Sequence, residues 1–492
     1  SRLKLLAIIS MAEPPLLDRA QFEQAFEVLA VRVPARRTGD FLKNLNNGLL
    51  NLPRRKNVES GGGGENLILL SRDLEGDVGK LPEKEHAWLQ AELDSDSGAS
   101  LTTTPVTLSY EYFSAEEILA KLLPAGIEVP TSFEQAGHVC HLNLRDVQLP
   151  YRYQIGQVLL DKNKSLRTVV NKVGRIETEF RTFEMEHLAG DPSTEVQLKE
   201  HGCQFRFDLR TVYWNSRLQM EHGRLIDALI LKPVVSIDGV SPVVADATCG
   251  VGPFSIPLAK HGCKIVSHAN DLNPDSIKWL RTNAEINRIG HVKDLREPLP
   301  PFTDVYESTD GQPLLVIHTP GDAGHFIRSL HGQRHPVTHS FFNLPATGVE
   351  MLGCFQGVDY VEAGLPRPIV CCYSFSDSPA DVAGPDGAVG DLLQRLSAAL
   401  GIPLSSLQYS RGPATDVAKA GLPLASPQVA QMVQAAHETG EGPSVAATVS
   451  VRLVRNVAPT RNMFCVCFRV PLSQDVPHAR GEEPDDKRAR TA

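Results

Sequence analysis

Two acids and two glycines between Val243 and Pro274 have the types and the spacing of a nucleoside-binding site. An apolar run ends at Asp246, and Gly250 and Gly252 then let the backbone turn tightly and approach a ligand without interference from a Cβ atom. A second β-branched run ends at Asp271, which is placed to accept hydrogen bonds from the two ribose hydroxyls of a nucleoside. Taken alone, a Gly-x-Gly after a strand is equally compatible with a simple tight turn.

The glycine motif favours S-adenosylmethionine over a dinucleotide as the ligand. A dinucleotide site has a third small residue and a helix N-terminus that faces a pyrophosphate. Here Gly252 is followed by Pro253, Phe254 and Ser255, and the proline opens the helix. S-adenosylmethionine has no phosphate, so this loop suits it better.

A polar residue follows a later strand in the segment Phe341–Pro345. The side chain of Asn343 offers both a donor and an acceptor to the edge of a base. The triplet is similar to the Asn-Pro-Pro-aromatic motif of base and amide N-methyltransferases, except that Leu344 replaces the first proline and no aromatic residue follows. Methylation of an exocyclic amine is therefore not the favoured reaction.

A carboxylate lies among cations in the segment Val212–Arg224. A helix that begins after Ser216 puts Arg217, Glu221 and Arg224 on one face. Pairing with cations lowers the pKa of a carboxyl group and burial raises it. From the residues alone, Glu221 is either a structural ion-pair partner or a general base.

The elements that position these residues form an alternating pattern. The predicted strands are Val243–Ala245, Ile265–His268, Leu314–His318, Ser340–Phe342, Ile369–Phe375, Thr448–Val454 and Met463–Val470. The predicted helices are Pro253–His261, Pro274–Asn287, Asp322–Leu330, Gly348–Phe355 and Gly387–Leu400. This order predicts an α/β fold with a seven-stranded, mostly parallel, doubly wound sheet that closes with an antiparallel hairpin, as in methyltransferases.

The chain before this sheet predicts two smaller α+β domains, at residues 14–92 and 106–212, followed by the main domain at residues 213–471. Four glycines at Gly61–Gly64 predict a flexible interruption, and the polar segment Asp94–Thr104 predicts a linker. Ser114 and Glu117 form a capping box that predicts a helix start. The hydrophobic segment Ile155–Asn163 predicts a strand.

Three further segments lie outside these domains. Residues 1–13 are a possible leader, residues 401–444 are an insertion that is too long for a simple loop, and residues 472–492 form a tail that we expect to be disordered. The tail contains a basic tetrad that is a weak nuclear-import signal.

Composition narrows the class of protein. The chain has 492 residues, 42% of them apolar, and no apolar run near the length that spans a bilayer, so we expect a soluble protein without membrane contact. Nine cysteines include no Cys-x-x-Cys, which indicates a reducing compartment, and no metal site is predicted. The net charge is −9, but Val31–Lys56 carries seven cations against one acid. That segment is either an RNA-contacting patch or a solvated face.

Motifs from about residue 105 to 471 together resemble the archaeal and eukaryotic tRNA (guanine-N1)-methyltransferases that act at position 37. They are Asn143–Asp146, Ile155–Val158 with Asp161–Asn163, Val212–Asn215 with Glu221–His222, Gly250–Phe254, Asn270–Pro274, Asn343–Pro345 and Val454–Pro459. The resemblance implies a class I, Rossmann-like methyltransferase with N-terminal tRNA-recognition domains. It also implies methyl transfer from S-adenosylmethionine to N1 of guanosine 37 in tRNA, which helps to maintain the reading frame.

The resemblance assigns roles to individual residues. It implies Glu221 as the general base, Arg181 as the cation near the guanine oxygen and Asn343 as the residue that positions the base. The cofactor-binding residues expected from the motifs and the resemblance together are His222, Asp246, Gly250, Gly252, Asp271, Leu272, Asp322, Ala323 and Asn343.

Two departures from the family pattern affect the adenine side of the site. Family members commonly have Phe-Ala-Gly where this chain has Thr248-Cys-Gly250, and Asp-Gly where it has Asp322-Ala323. Two other functions remain open: aminocarboxypropyl transfer at the same tRNA position in the wybutosine pathway, and tRNA binding without catalysis. We expect a monomer, and the family implies cytoplasm, nucleus and mitochondrial matrix as compartments.

Overall fold

The computed structural model describes residues 17–130, 132–174, 180–230, 241–262, 264–295, 312–379, 387–404, 407–411, 447–458 and 461–471. The predicted leader, most of the insertion and the predicted tail lie outside these residues. The chain divides into two compact units. One takes its residues from Ser1–Phe133, His141–Asn171 and His187–Pro192, and the other from Glu134–Cys140, Lys172–Glu186 and Ser193–Ala492. The domain boundaries proposed above stay predictions.

The first unit contains a four-stranded antiparallel sheet. Its strands are β1 (Gln24–Pro34), β2 (Val58–Gly62), β3 (Glu65–Leu69) and β4 (Ser100–Leu108), in the order β2-β3-β1-β4. The linker prediction for Asp94–Thr104 is wrong in part, because β4 begins at Ser100 and pairs with β1. The interruption predicted at Gly61–Gly64 is instead a hairpin turn, since Gly62, Gly63 and Gly64 all adopt positive φ.

The described residues of this unit contain four helices: α1 (Thr38–Asn44), α2 (Glu83–Asp94), α3 (Ala115–Leu122) and α4 (Arg152–Lys162). The capping box predicted for α3 is confirmed, with Ser114 and Glu117 each bonding the backbone of the other. The strand predicted at Ile155–Asn163 is wrong. Ile155, Val158 and Leu159 are buried on one face of α4, a spacing of three and four that suits a helix.

Most cations of the segment Val31–Lys56 are paired with carboxylates of the same unit. The pairs are Arg32–Glu65 at 3.1 Å, Arg37–Glu92 at 2.6 Å, Arg54–Glu117 at 2.7 Å, and Arg55–Glu59. Arg36, Lys43 and Lys56 are exposed and make no ion pair with the described residues. The basic patch seen in the sequence is therefore smaller than its residue count indicates.

Six strands follow: β5 (Glu134–Ala136), β6 (Val139–Leu142), β7 (Thr168–Val173), β8 (Glu184–Gly190), β9 (Glu195–Glu200) and β10 (Cys203–Asp208). The last two pair as an antiparallel hairpin in the second unit.

The second unit is built on a sheet that has nine strands among the described residues. They are β11 (Val243–Asp246), β12 (Val266–Ala269), β13 (Val292–Asp294), β14 (Leu314–Ile317), β15 (His339–Phe342), β16 (Ile369–Ser376), β17 (Leu407–Arg411), β18 (Ala447–Ala458) and β19 (Arg461–Arg469). The order is β13-β14-β12-β11-β15-β16-β19-β18-β17. All seven predicted strands are present, and β13 and β17 are short additional strands at the two edges.

The topology is the predicted one. The six strands from β13 to β16 in this order are parallel, and β19 lies antiparallel between β16 and β18. In chain order, β12 and β14 lie on one side of β11 in the sheet, and β15 then lies on the other side. The sheet therefore has a switch point between β11 and β15, where open α/β sheets bind ligands at the carboxyl ends of the strands.

Where the structure describes this unit, it has five helices: α5 (Gln219–Ile230), α6 (Ser255–His261), α7 (Pro274–Ile286), α8 (Ala323–Gly332) and α9 (Ala388–Leu400). The helix predicted at Gly348–Phe355 is a 3-10 helix at Glu350–Phe355. Helices α8 and α9 pack their apolar faces on one side of the sheet through Phe326, Ile327 and Leu392. Leu225, Ile226 and Leu258 of α5 and α6 belong to a second apolar cluster with sheet residues.

Among the described helices, none combines the length and the apolar character that a membrane span needs. The same residues contain no group of three or more His, Cys, Asp or Glu side chains arranged to hold a metal ion.

Candidate active site

A cavity of about 990 Å³, including its open mouth, lies at the carboxyl ends of β11, β12, β14 and β15. It is lined by Phe180, Arg181, Tyr213, Trp214, Asn215, Leu218, His222, Ala247, Thr248, Cys249, Gly250, Val251, Pro253, Asp271, Leu272, Asn273, Ser276, Asp322, Ala323, Asn343, Leu344, Pro345 and Met351. Every one of these residues belongs to the second unit.

The glycine loop after β11 forms one wall. Gly250 has a φ of 53°, its missing Cβ would face open space, and its N–H donates to Asp271 Oδ2 at 2.8 Å. Gly252 has a φ of 97°, and a Cβ there would come within 2.6 Å of Leu280 Cδ1. Gly250 thus leaves room for a ligand, whereas Gly252 allows the loop to pack against α7.

The two acids of the motif lie at different depths. Asp271 lines the cavity, and its Oδ1 accepts from Asn273 N at 2.9 Å. Burial raises the pKa of this carboxyl group, and the two backbone N–H donors oppose the change. Asp246 is fully buried beneath the loop, where Ser255 Oγ donates to its Oδ2 at 2.6 Å. Burial, helped by the nearby charge of Asp271, raises the pKa of Asp246 to about 7.

Asn343 follows β15 and reaches the cavity with an unused acceptor. Its Oδ1 is buried and has no hydrogen-bond partner among the described residues. Its backbone N–H donates to Thr248 Oγ1 at 2.8 Å, which links the loop after β15 to the loop after β11. A buried amide oxygen without a partner is ready to accept a hydrogen bond from a ligand.

His222 has one nitrogen fixed and the other unused. Its Nδ1 donates to Glu200 Oε1 at 2.7 Å, and its Nε2 has no partner among the described residues. Burial raises the pKa of Glu200, but hydrogen bonds from His201 and His222 outweigh burial and lower the pKa overall. The ring edge of His222 also packs on Phe254, with centroids 4.9 Å apart. Glu200 and Phe254 therefore fix the orientation of this imidazole.

Arg181 is a half-buried cation on the cavity wall. It has a positive φ of 56°, and no carboxylate pairs with it among the described residues. Burial lowers the pKa of its guanidinium, and the neighbouring Tyr213 partly offsets this. Two exposed aromatic side chains, Phe180 and Tyr213, lie on the same wall. This wall can accept an electronegative atom and the face of a planar ring.

The loop after β14 supplies the remaining predicted contacts. Asp322 is the N-cap of α8 and accepts from His325 N at 2.8 Å through Oδ1. Ala323 is buried beside it, and Leu272 is 41% exposed and offers an apolar surface to the cavity. An acid next to small and apolar surfaces is suited to bind the edge and the faces of a heterocycle.

Glu221 does not line the cavity. It is buried in α5 next to His222, where it accepts hydrogen bonds from Arg224 and from Tyr373 OH and contacts Arg452. The predicted pairing with Arg224 is confirmed, whereas Arg217 pairs with Glu134 at 3.3 Å instead.

The structure brings eight of the predicted residues together at the cavity: Arg181, His222, Gly250, Asp271, Leu272, Asp322, Ala323 and Asn343. Glu221, Asp246 and Gly252 lie behind its lining. Lining residues without a predicted role include Tyr213, Trp214, Thr248, Asn273 and Ser276. Tyr213 and Trp214 could have been predicted as lining residues, because they are adjacent aromatic residues that directly precede the segment with Glu221.

Family models match two consecutive parts of the chain. Residues 115–194 match the TYW2 N-terminal domain, and residues 196–331 match the TRM5/TYW2 methyltransferase domain. Among solved structures, the complex of aTrm5 with tRNALeu has a TM-score of 0.50 and 18% identity, and the match covers 90% of this chain and 99% of that chain. That likeness supports the fold.

Relatives match along nearly the whole chain. A tRNA (guanine(37)-N(1))-methyltransferase of Phytophthora infestans is 35% identical, and the match covers 97% of this chain and 98% of the relative. The protein of the same name from Homo sapiens is 31% identical, over 97% of this chain and 81% of the relative. This chain belongs to the tRNA (guanine(37)-N1)-methyltransferase family.

Proposed function

We propose that the protein transfers the methyl group of S-adenosylmethionine to N1 of guanosine 37 in tRNA. The observation that carries this proposal is the cavity at the switch point of the sheet. The chain that forms it matches a tRNA (guanine(37)-N(1))-methyltransferase over 97% of its length. The cavity combines an acid at the end of β12 with a cation and an amide oxygen that have no partner among the residues the structure describes. These groups suit a nucleoside cofactor and a base.

The residues present fit S-adenosylmethionine. Asp271 retains acceptor capacity for ribose hydroxyls, because each of its oxygens receives one backbone N–H. Gly250 leaves open space beside it, and Leu272 and Asp322 are placed for the adenine. The unused Nε2 of His222 is a further polar contact. When bound, this cofactor supplies an electrophilic methyl group.

The side chains of the protein would act on the guanine. Its N1 carries a proton at neutral pH, so N1 becomes a nucleophile only when a base removes that proton. Glu221, which lies behind the cavity lining, would take this proton. The electron pair of the N1–H bond would then form the N1–methyl bond, while the methyl–sulfur bond of the cofactor breaks and leaves its electron pair on sulfur. Negative charge that develops on O6 would be stabilised by Arg181. Asn343 would hold the edge of the base after the guanine has left its stack.

Aminocarboxypropyl transfer is a second reaction that uses the same cofactor, and it can be tested directly. The matching domain model covers TRM5 and TYW2 proteins together. An aminocarboxypropyl transferase of the wybutosine pathway would break a different carbon–sulfur bond of the cofactor. A tRNA-binding protein without catalytic activity would break neither bond.

Doubly labelled S-adenosylmethionine separates these functions. We would incubate the protein with a tRNA transcript that has guanosine at position 37 and with cofactor labelled differently in the methyl and carboxyl groups. We expect only the methyl label on the tRNA. Transfer of the carboxyl label would indicate aminocarboxypropyl transfer. Binding of tRNA without either label would indicate a protein that only binds.

We also propose that the protein acts as a monomer, in the cytoplasm, nucleus and mitochondrial matrix. The family resemblance supports the compartments, and fluorescence microscopy of a tagged full-length chain tests them. Light scattering coupled to gel filtration, with and without tRNA, tests the oligomeric state.

A further inference from the structure

A cluster of charges lies directly behind the cavity, around Glu221. This side chain is 6% exposed. Arg224, one turn along α5, donates through Nε to both carboxylate oxygens at 3.2 and 3.1 Å and through Nη2 to Oε1 at 2.5 Å. A single arginine on the same helix therefore already forms a forked ion pair with Glu221.

Two further groups reach Glu221 from the sheet. Tyr373 of β16 donates its hydroxyl to Oε1 at 3.1 Å, and the guanidinium of Arg452 on β18 contacts Oε2. Beyond Arg224 lie three thiols, with Cys465 Sγ 3.7 Å from Arg224 Nη2. Cys467 Sγ is 2.9 Å from Cys371 Sγ and 3.5 Å from Cys465 Sγ. These residues lie on α5, β16, β18 and β19 and surround the pair of Glu221 and Arg224.

The carboxylate of Glu221 thus faces two cations. Arg224 is close because it lies one turn away on the same helix, whereas Arg452 is brought close only by the fold. Arg452 is 231 residues away in the chain, its side chain is 15% exposed, and no other carboxylate pairs with it among the described residues. When one partner of a buried ion pair is removed, the charge that remains is left uncompensated, which is strongly unfavourable. A buried carboxylate without enough positive charge takes up a proton and can then no longer act as a base.

We propose that Arg452 is a positioning residue for the proposed general base: from β18 it fixes the carboxylate of Glu221 beside the cavity and keeps it ionised at neutral pH. This inference rests on the proposed methyl transfer. Arg224 anchors the same carboxylate from its own helix, and Tyr373 orients Oε1. Arg452 supplies a second positive charge, which further opposes the effect of burial on Glu221.

The test is the pH dependence of single-turnover methyl transfer, with full-length protein, a guanosine-37 transcript and saturating methyl-labelled S-adenosylmethionine. As the pH is lowered, the rate of Arg452→Gln should begin to fall at a pH about one unit higher than that of the wild type. The reason is that removal of a neighbouring cation raises the pKa of the Glu221 carboxyl group. Affinities for tRNA and for the cofactor should stay unchanged, since Arg452 does not line the cavity. Arg452→Lys keeps the charge and should restore the wild-type profile.

Arg461→Gln is the matched control. It removes an arginine of the same β18–β19 hairpin that pairs with Asp377 at 2.7 Å on the surface, and its pH profile should match the wild type. A profile of Arg452→Gln that is unshifted, whether or not its rate is lower at every pH, would overturn the proposal. A wild-type protein that transfers no methyl group would instead refute the proposed function.

Stability measurements keep the test decisive if Arg452→Gln folds poorly. The instability should then come from the lost pair with Glu221, so the decreases in the midpoint of thermal unfolding caused by Arg452→Gln and by Glu221→Gln should be strongly non-additive in the double variant. If the two decreases simply add, Arg452 acts on another part of the structure and the inference fails.

Discussion

Thr248 connects the loop with the two glycines to the loop with Asn343, which we propose positions the base. Its Oγ1 accepts the backbone N–H of Asn343 at 2.8 Å, a contact that the usual family residue, phenylalanine, cannot make. Thr248→Val removes the acceptor and keeps the shape, so the Asn343 side chain should be less well fixed. We expect the single-turnover rate to fall about tenfold, the effect of about 1.4 kcal/mol.

Thr248→Ser is the control for this prediction, because it keeps the hydroxyl. Its rate should stay near that of the wild type. Equal rates for Thr248→Val and the wild type would show that Asn343 is held by other contacts.

Asp246 makes stability depend on pH. Its pKa in the folded protein is about 7, above the ordinary value of 3.8, because the carboxyl group is buried. The folded state therefore binds the proton more tightly than the unfolded chain. Stability from this group is complete below about pH 4 and is lost as pH rises through about 7, by up to about 4 kcal/mol.

Asp246→Asn removes this titration. The stability of the variant relative to the wild type should therefore increase between pH 5 and pH 8, as measured by chemical denaturation at several pH values. A difference that does not change with pH would mean that Asp246 is already ionised in the folded protein at pH 5.

The sequence predicted site residues well where they end a strand. Asp271 and Asn343 could be found because apolar runs locate the strand ends, and these ends meet at one edge of a parallel sheet. Thr248 and Arg452 could not, since their roles depend on partners 95 and 231 residues away that only the fold brings close. For the same reason the sequence did not show that Glu221 lies behind the cavity lining.

The glycine loop between β11 and α6 has two glycines with different constraints. A Cβ at Gly252 would contact Leu280 and Ile256 at 2.6 and 2.7 Å, with φ at 97°, whereas at Gly250 it would meet open space. Gly252→Ala should therefore lower the free energy of unfolding by about 2–4 kcal/mol, against about 1 kcal/mol for Gly250→Ala.

Denaturant titrations of both variants measure this difference. Gly250→Ala should instead weaken cofactor binding, measured by calorimetry, because its methyl group would occupy space beside Asp271. Equal losses of stability in the two variants would contradict this account of the loop.

The elements were predictable where their apolar pattern is long and regular. All seven predicted strands of the large sheet are β-branched or aromatic runs, whereas β13 has three residues and β17 lies in a segment poor in such patterns. Helix α4 was taken for a strand because its apolar residues are nearly consecutive. Only the packing of Ile155, Val158 and Leu159 on one face distinguishes the helix from a buried strand.

At the scale of the whole molecule, the net charge of −9 opposes binding to RNA, so local cations must provide the affinity. In the first unit, Arg36, Lys43 and Lys56 are exposed and free of ion pairs among the described residues. Replacing all three with glutamine should weaken tRNA binding about tenfold and reduce its salt dependence. Binding should be measured by fluorescence anisotropy over a range of salt concentrations.

Arg54→Gln is the control, because Arg54 is 50% exposed but already paired with Glu117. It should change tRNA affinity much less than the triple replacement, and neither protein should lose affinity for the cofactor. An unchanged affinity in the triple variant would show that this surface does not contact tRNA.

The most direct test of the central claim is mass spectrometry of nucleosides from tRNA transcripts incubated with the protein and S-adenosylmethionine. One transcript has guanosine at position 37 and the other has adenosine there. We expect 1-methylguanosine from the first transcript and none from the second, with a steep loss in Glu221→Gln. A protein that binds the guanosine transcript but forms no 1-methylguanosine, or that methylates both transcripts equally, would contradict it.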